Sequence, residues 1–107
     1  MATQGTARNP YYLPTLFNIT WADPTVPQDL RFYTDIEIQV DGTITGAYAV
    51  NRNFTGANGT FYAVQAYDYV GNPVSSITTA GIYSIRGPGW FKLTGGSGAT
   101  ITLRAGV

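Results

Sequence analysis

Few side chains in this sequence could do chemistry. Histidine and cysteine are absent from all 107 residues, which removes Ser-His and Cys-His nucleophile systems and the zinc sites built on those ligands. Six carboxylates remain, with Lys92 as the single lysine, and the tyrosines. The best-spaced carboxylates are Asp35 and Glu37, with Asp41 beyond them. On a strand such a pair shares a face at a separation of roughly 6.5–7 Å, a spacing at which two carboxyl groups could serve an inverting glycosidase. Their oxygens could also hold a hard cation. Gln39 continues the row, and Asp-Glu-Gln-Asp is equally the solvated face of an amphipathic strand. That reading is adopted: no catalytic residue, metal ligand or cofactor is expected, and the chain is read as a non-enzyme.

The element that positions those carboxylates is the clearest in the chain. In DIEIQVDGTI (35–44), Ile36, Ile38, Val40 and Ile44 share one parity and the polar residues take the other. A strand sends successive side chains to opposite faces, so one face is buried and one is wet. Thr45-Gly46 is expected to turn this strand into a hairpin with Ala47 to Phe54; an Asp41-Gly42 turn is the competing reading. Gly56 to Gly59 reads as the next turn, with Asn58-Gly59 suited to positive φ. A strand from Phe61 to Tyr69 follows, with Tyr62, Val64 and Ala66 on one face. Val70-Gly71-Asn72-Pro73 then turns into a Val74 to Thr79 strand. Gly81 to Arg86 and Trp90 to Thr94 flank a Gly87-Pro88-Gly89 turn. Gly95-Gly96-Ser97-Gly98 is expected to close a last hairpin onto Ala99 to Ala105, with Ile101 and Leu103 inward.

Seven or eight short strands without a helical period predict an all-β fold, a single antiparallel β-sandwich of jelly-roll type with an extended N-terminal arm. Residues 1–31 are assigned to the arm and a Pro-containing loop, with an edge strand, or an extended segment laid over a neighbour, where Pro14 interrupts Tyr11 to Trp21. Residues 32–107 are assigned to the sandwich.

Charged residues make up 11% of the chain and cancel to a net charge of zero, against about 25% charged in a typical soluble domain. That balance favours association with other protein. With no basic stripe, neither nucleic acid nor membrane is an expected partner. MATQGTARNP has no signal-peptide core and no stretch approaches the roughly 20 apolar residues of a spanning helix, so synthesis in the cytoplasm without an address of its own is expected. The lack of cysteine fits a reducing compartment.

Two Trp, eight Tyr and five Phe are the surplus. Tyr12, Phe17, Phe32, Phe61, Tyr62 and Tyr83 can be ordinary core. Tyr11, Tyr12, Trp21 and Trp90 lie beside prolines or glycines, where rings are often half exposed. Such rings serve as protein-interface anchors or as platforms for sugars, and core filling is open for each.

Four pieces stand in a recognisable order: IQVDGTITGAYAV (38–50), ANGTFYAV (57–64), AYDYVGNPVSSITTAGIYSI (66–85) and KLTGGSGATITLRA (92–105). In turn chemistry and strand order they resemble small head-associated β-proteins encoded in the structural gene clusters of tailed bacteriophages. The resemblance implies a virion structural protein, specifically a capsid decoration or cement subunit on the capsid surface. Its implied partners are the major capsid protein or another virion protein, with a homo-oligomer, for instance a trimer on threefold positions. The alternative is a carbohydrate- or receptor-binding module of a phage fibre or spike. Asn51-Arg52-Asn53-Phe54-Thr55 departs from the family's turn, and the segment through Trp21 lies outside the resemblance. The expected interface residues are therefore Arg8, Tyr11, Tyr12 and Trp21 in the arm, Arg52 and Phe54 in the atypical turn, and Trp90.

Overall fold

The computed structural model describes residues 16–106, and side chains from Asn18 onward. The described residues form ten strands and no helix: β1 Leu16–Thr20, β2 Gln28–Leu30, β3 Asp35–Asp41, β4 Thr45–Asn53, β5 Tyr62–Val64, β6 Ala66–Tyr67, β7 Pro73–Val74, β8 Gly81–Arg86, β9 Gly89–Ser97 and β10 Thr100–Gly106. They build two antiparallel sheets in a sandwich-like arrangement. One has six strands in the order β1-β10-β3-β8-β6-β7, the other four in the order β2-β9-β4-β5.

The alternation in β3 does what its parity predicts. Ile36, Ile38 and Val40 are buried, while Asp35, Gln39 and Asp41 are exposed. Pairing on both sides aligns these residues with equally apolar neighbours, giving the rows Ile85–Ile36–Ala105 and Tyr83–Ile38–Leu103. Leu30, Tyr48, Val50, Phe91 and Leu93 of the four-stranded sheet complete one shared core. Each fully buried side chain of this size contributes about 1.5–3 kcal/mol. The three core aromatics with polar tips all find partners. Tyr83 donates its hydroxyl to the Thr79 carbonyl (2.7 Å), Tyr48 Oη accepts from the Ala99 amide (3.3 Å), and Trp21 Nε1 donates to the Val26 carbonyl (3.0 Å).

Several local expectations are corrected. β3 and β4 do not form a hairpin: β3 ends at Asp41, and Gly42, at φ +98°, begins a crossing into the other sheet. β9 and β10 likewise lie in different sheets, with Gly95 and Gly96 inside β9 and Gly96 opposite Gly46. Small residues are needed there because a Cβ on Gly96 would sit 2.7 Å from the buried Tyr48 ring. The segment from Phe61 to Tyr69 is two strands, since the chain changes sheets at Gln65. The expected strand from Val74 to Thr79 is reduced to Pro73–Val74, and Ile77 instead bridges to Tyr48 through both backbone groups. In the turn before β5, Gly56 takes the positive φ, and Asn58 does not.

The segment from Leu16 to Leu30, assigned by sequence to the arm, supplies a strand to each sheet, and β1 is an edge strand. The pairings β1–β10, β2–β9, β3–β8 and β4–β5 make the chain a long ribbon doubled back on itself. The β6–β7 pair is inserted on the return leg.

Candidate interaction surface

The outer face of the six-stranded sheet carries the carboxylate row. Glu37 is answered in register by Arg104, whose Nη2 lies 3.3 Å from Glu37 Oε1. Gln39 donates to Asp41 at 2.7 Å. A shallow hollow of about 160 Å³ beside them is lined by strand side chains including Asn18, Gln39 and Thr102. Among the described residues no group of three or more acidic side chains is placed to hold a metal ion. This face is paired strand surface.

The open end of the sandwich near β4, β5 and β8 is built differently. Arg52 shares the inward parity of Tyr48 and Val50 but stands where the core runs out. Its Nη1 reaches the opposite sheet and donates to the Arg86 carbonyl at 2.8 Å. Room for its stem comes from Gly89, at φ +150°, where a Cβ would lie 2.8 Å from Arg52 Cγ. The guanidinium also stacks on Phe54, 5.0 Å from the ring centre.

Phe54 is 69% exposed, whereas the residue before it is held in place. Asn53 is buried; its Nδ2 donates to the Gly56 carbonyl (2.9 Å) and its Oδ1 accepts from the Gly56 amide (3.3 Å). The turn that follows is thus pinned, and the Phe54 ring is thrown out beside Tyr62, itself 68% exposed. Arg52, Phe54, Thr55, Thr60, Tyr62 and Val64 line a groove of about 310 Å³. A second groove of about 260 Å³, lined by Arg52, Gln65, Tyr67 and Arg86, adjoins it. Arg86 lies 4.9 Å from the Tyr67 ring centre.

Cations on aromatic rings continue around the four-stranded sheet. Arg31 stacks on Trp90 at 5.3 Å and lies 5.9 Å from the Phe32 ring centre, while Lys92 lies 4.6 Å from that of Phe61. Arg31 also holds Asp29 through two bonds of 2.8 Å, and this guanidinium keeps the Asp29 carboxyl below its ordinary pKa. Among exposed groups such contacts are individually weak. Their larger effect is to dress this side of the molecule in flat apolar area rimmed by charge.

Of the interface residues expected from sequence, Arg52 and Phe54 are brought together, and Trp90 is half-buried beneath Arg31. Trp21 is not a surface anchor: it is 2% exposed. The Pro24–Pro27 loop folds over its indole, the Val26 carbonyl accepting from the indole N–H and the Pro24 carbonyl from the Leu93 amide. Arg8, Tyr11 and Tyr12 lie outside the described residues.

Tyr62 and Phe32 can be ordinary core on sequence alone, yet both are well exposed, Phe32 at 63%. The signal for Tyr62 was its place just after an Asn-Gly turn, at the start of a short strand. For Phe32 it was Arg31 beside it and a turn on either side. No protein-family model, curated protein or solved structure matches the chain.

Proposed function

We propose that this chain is a non-enzymatic structural subunit of a tailed-bacteriophage virion, a capsid decoration or cement protein that stabilises the assembled head through its aromatic arm and strand edges. The observation that carries the binding part of this reading is the Arg52–Phe54–Tyr62 surface beside the β5 edge that pairs with no strand among the described residues. Rigid aromatic rings next to an arginine make good anchors for protein, and an unpaired strand accepts an extended segment. The virion part rests on the motif order in residues 35–107 and on the fold.

The ribbon pairings β1–β10, β2–β9, β3–β8 and β4–β5 support a jelly-roll wrapping, with β6–β7 as an added flap. Jelly rolls serve as viral capsid and lectin domains; the link from fold to function is by analogy. The lectin-like alternative has less support, because the Arg31 guanidinium covers a face of the Trp90 ring that a sugar would need.

The test is co-sedimentation with purified empty heads. Wild type is expected to pellet with the shells. The double substitution Phe54→Ala with Tyr62→Ala is expected to lower the bound fraction at least tenfold with the fold retained. Unchanged binding by that variant, or pelleting of neither protein, overturns the proposal.

A further inference from the structure

The sheets have four edges, and three of them are blunted. β1 is broken by Asn18 at φ +53°, with a register shift between Leu16 and Ile19. β2 follows Pro27 and carries the Asp29–Arg31 ion pair. β7 has two residues and begins at Pro73. Charge, proline, bulges and brevity are the devices by which sheet edges avoid pairing with other chains. β5 is short at three residues, but it has no charge, proline or bulge, and reads Tyr62-Ala63-Val64. Its backbone bonds to β4 on one side and to nothing on the other among the described residues. Phe54 and Tyr62 stand exposed beside this edge.

Deepening the reading of the chain as an assembling structural subunit, and resting on it, we propose that the β5 edge receives residues Tyr11-Tyr12-Leu13 of a second copy as an added strand. The fit is one of length and chemistry. Pro10 and Pro14 bracket three residues that carry N–H donors, against a three-residue edge. A residue before proline is driven to the extended region, and proline ends a ladder because it cannot donate. The segment brings two tyrosines and a leucine to a groove walled by Phe54, Tyr62 and Val64.

The chain cannot make this contact with itself. Leu13 precedes Leu16 by three residues, a reach of at most roughly 11 Å. Leu16 begins a row of register partners, Leu16–Ala105–Ile36–Ile85–Ala66, that runs across the six-stranded sheet. Its ends are separated by four interstrand steps, roughly 19 Å. β5 meets Ala66 through Gln65 alone, and a strand on its free edge would lie in the other layer, across the gap between the sheets. The donor must be another molecule. Arm and edge are different surfaces, so one contact is head-to-tail; repeated, it closes into a ring or a reciprocally exchanged dimer, or runs on as a filament.

The experiment is sedimentation of full-length chains, with no shells present. Wild type is expected at a multiple of the 11.5 kDa chain mass. Tyr12→Pro, which removes the central donor of the arm, and Tyr62→Asp, which charges the edge, are each expected at the single-chain mass, with thermal melts confirming that they fold. If Tyr62→Asp does not fold, Ala63→Lys takes its place. Mixing the arm variant with the edge variant is expected to restore a 1:1 complex, since one still has an edge and the other an arm. A wild-type chain at single-chain mass, no complex in the mixture, or association lost by the edge variant and kept by the arm variant (pairing of β5 with β5) overturns the proposal. Shell binding is scored separately, so oligomers that ignore shells would sink the virion reading and leave this one standing.

Discussion

β3 and β5 are both strands, but one lies near the middle of its sheet and the other at the rim. Six of the seven side chains of β3 have a defined setting: Ile36, Ile38 and Val40 in the core, Glu37 on Arg104, Gln39 on Asp41. β5 is paired along one side and has Tyr62 and Phe54 projecting beside it. The contrast teaches that an amphipathic pattern marks where a sheet is finished. A short aromatic strand with weak alternation marks where it is still open.

The largest effect expected is at the finished strand. Ile38 is fully buried between Tyr83 and Leu103, so Ile38→Ala should cost about 2–5 kcal/mol from lost burial and the cavity left behind. A denaturant titration reads this directly. Tyr62→Ala at the open edge should cost under about 1 kcal/mol in the same titration, since surface substitutions rarely cost more. Equal losses at both positions would erase the contrast between centre and edge.

Next comes the clamp that aims Phe54. Asn53→Ala removes both side-chain bonds to Gly56, whose carbonyl keeps the Gly59 amide while its own amide loses this partner, a loss of about 1–3 kcal/mol at about 0.5–1.5 for each bond. It should also weaken shell binding as the ring loses its fixed direction, although Asn53 itself is buried. Asn53→Asp keeps the acceptor for the Gly56 amide but sets a buried carboxylate oxygen against the Gly56 carbonyl, so it should lose at least as much as alanine.

The legibility of the sequence divides along the same line. The alternation of β3, β8 and β10 could be read directly, because a strand buried on one face must show period two. The hairpins were misread because glycine pairs serve two ends: Gly95-Gly96 lets the backbone pass close to Tyr48, and no local turn is formed. Trp21 was misplaced because neighbouring prolines suggested exposure, whereas here they build the loop that covers it. Arg52 and Phe54 stood out as a departure from the turn pattern of the resembling proteins. Tyr62 was missed because edge position depends on which strands pair, and that is set by contacts far away in the chain.

The smallest effects expected lie on the solvated charges, and they set a baseline for the open edge. Glu37→Gln should change stability by no more than about 1 kcal/mol, as for other exposed ion pairs. Asp29 tests the same point through pH. Its carboxyl is held below its ordinary pKa, first by the hydrogen bonds from Arg31. A group whose pKa is depressed by folding stabilises the fold fully above its unfolded value, near pH 4. That contribution is lost as the pH falls through the lower folded value. Stability measured from pH 6 down to pH 2 should therefore drop slightly less in Asp29→Asn than in wild type, with the difference confined to below about pH 4. Arg31 also lies on Trp90, so the substitution should free the guanidinium and raise the mobility of the indole, visible as a change in tryptophan fluorescence. A large loss of stability at neutral pH would mean that β2 is closed by this pair more firmly than exposed charges normally allow. In that case the contrast with β5 would be sharper, because the other edge of its sheet would be sealed by an interaction of real strength.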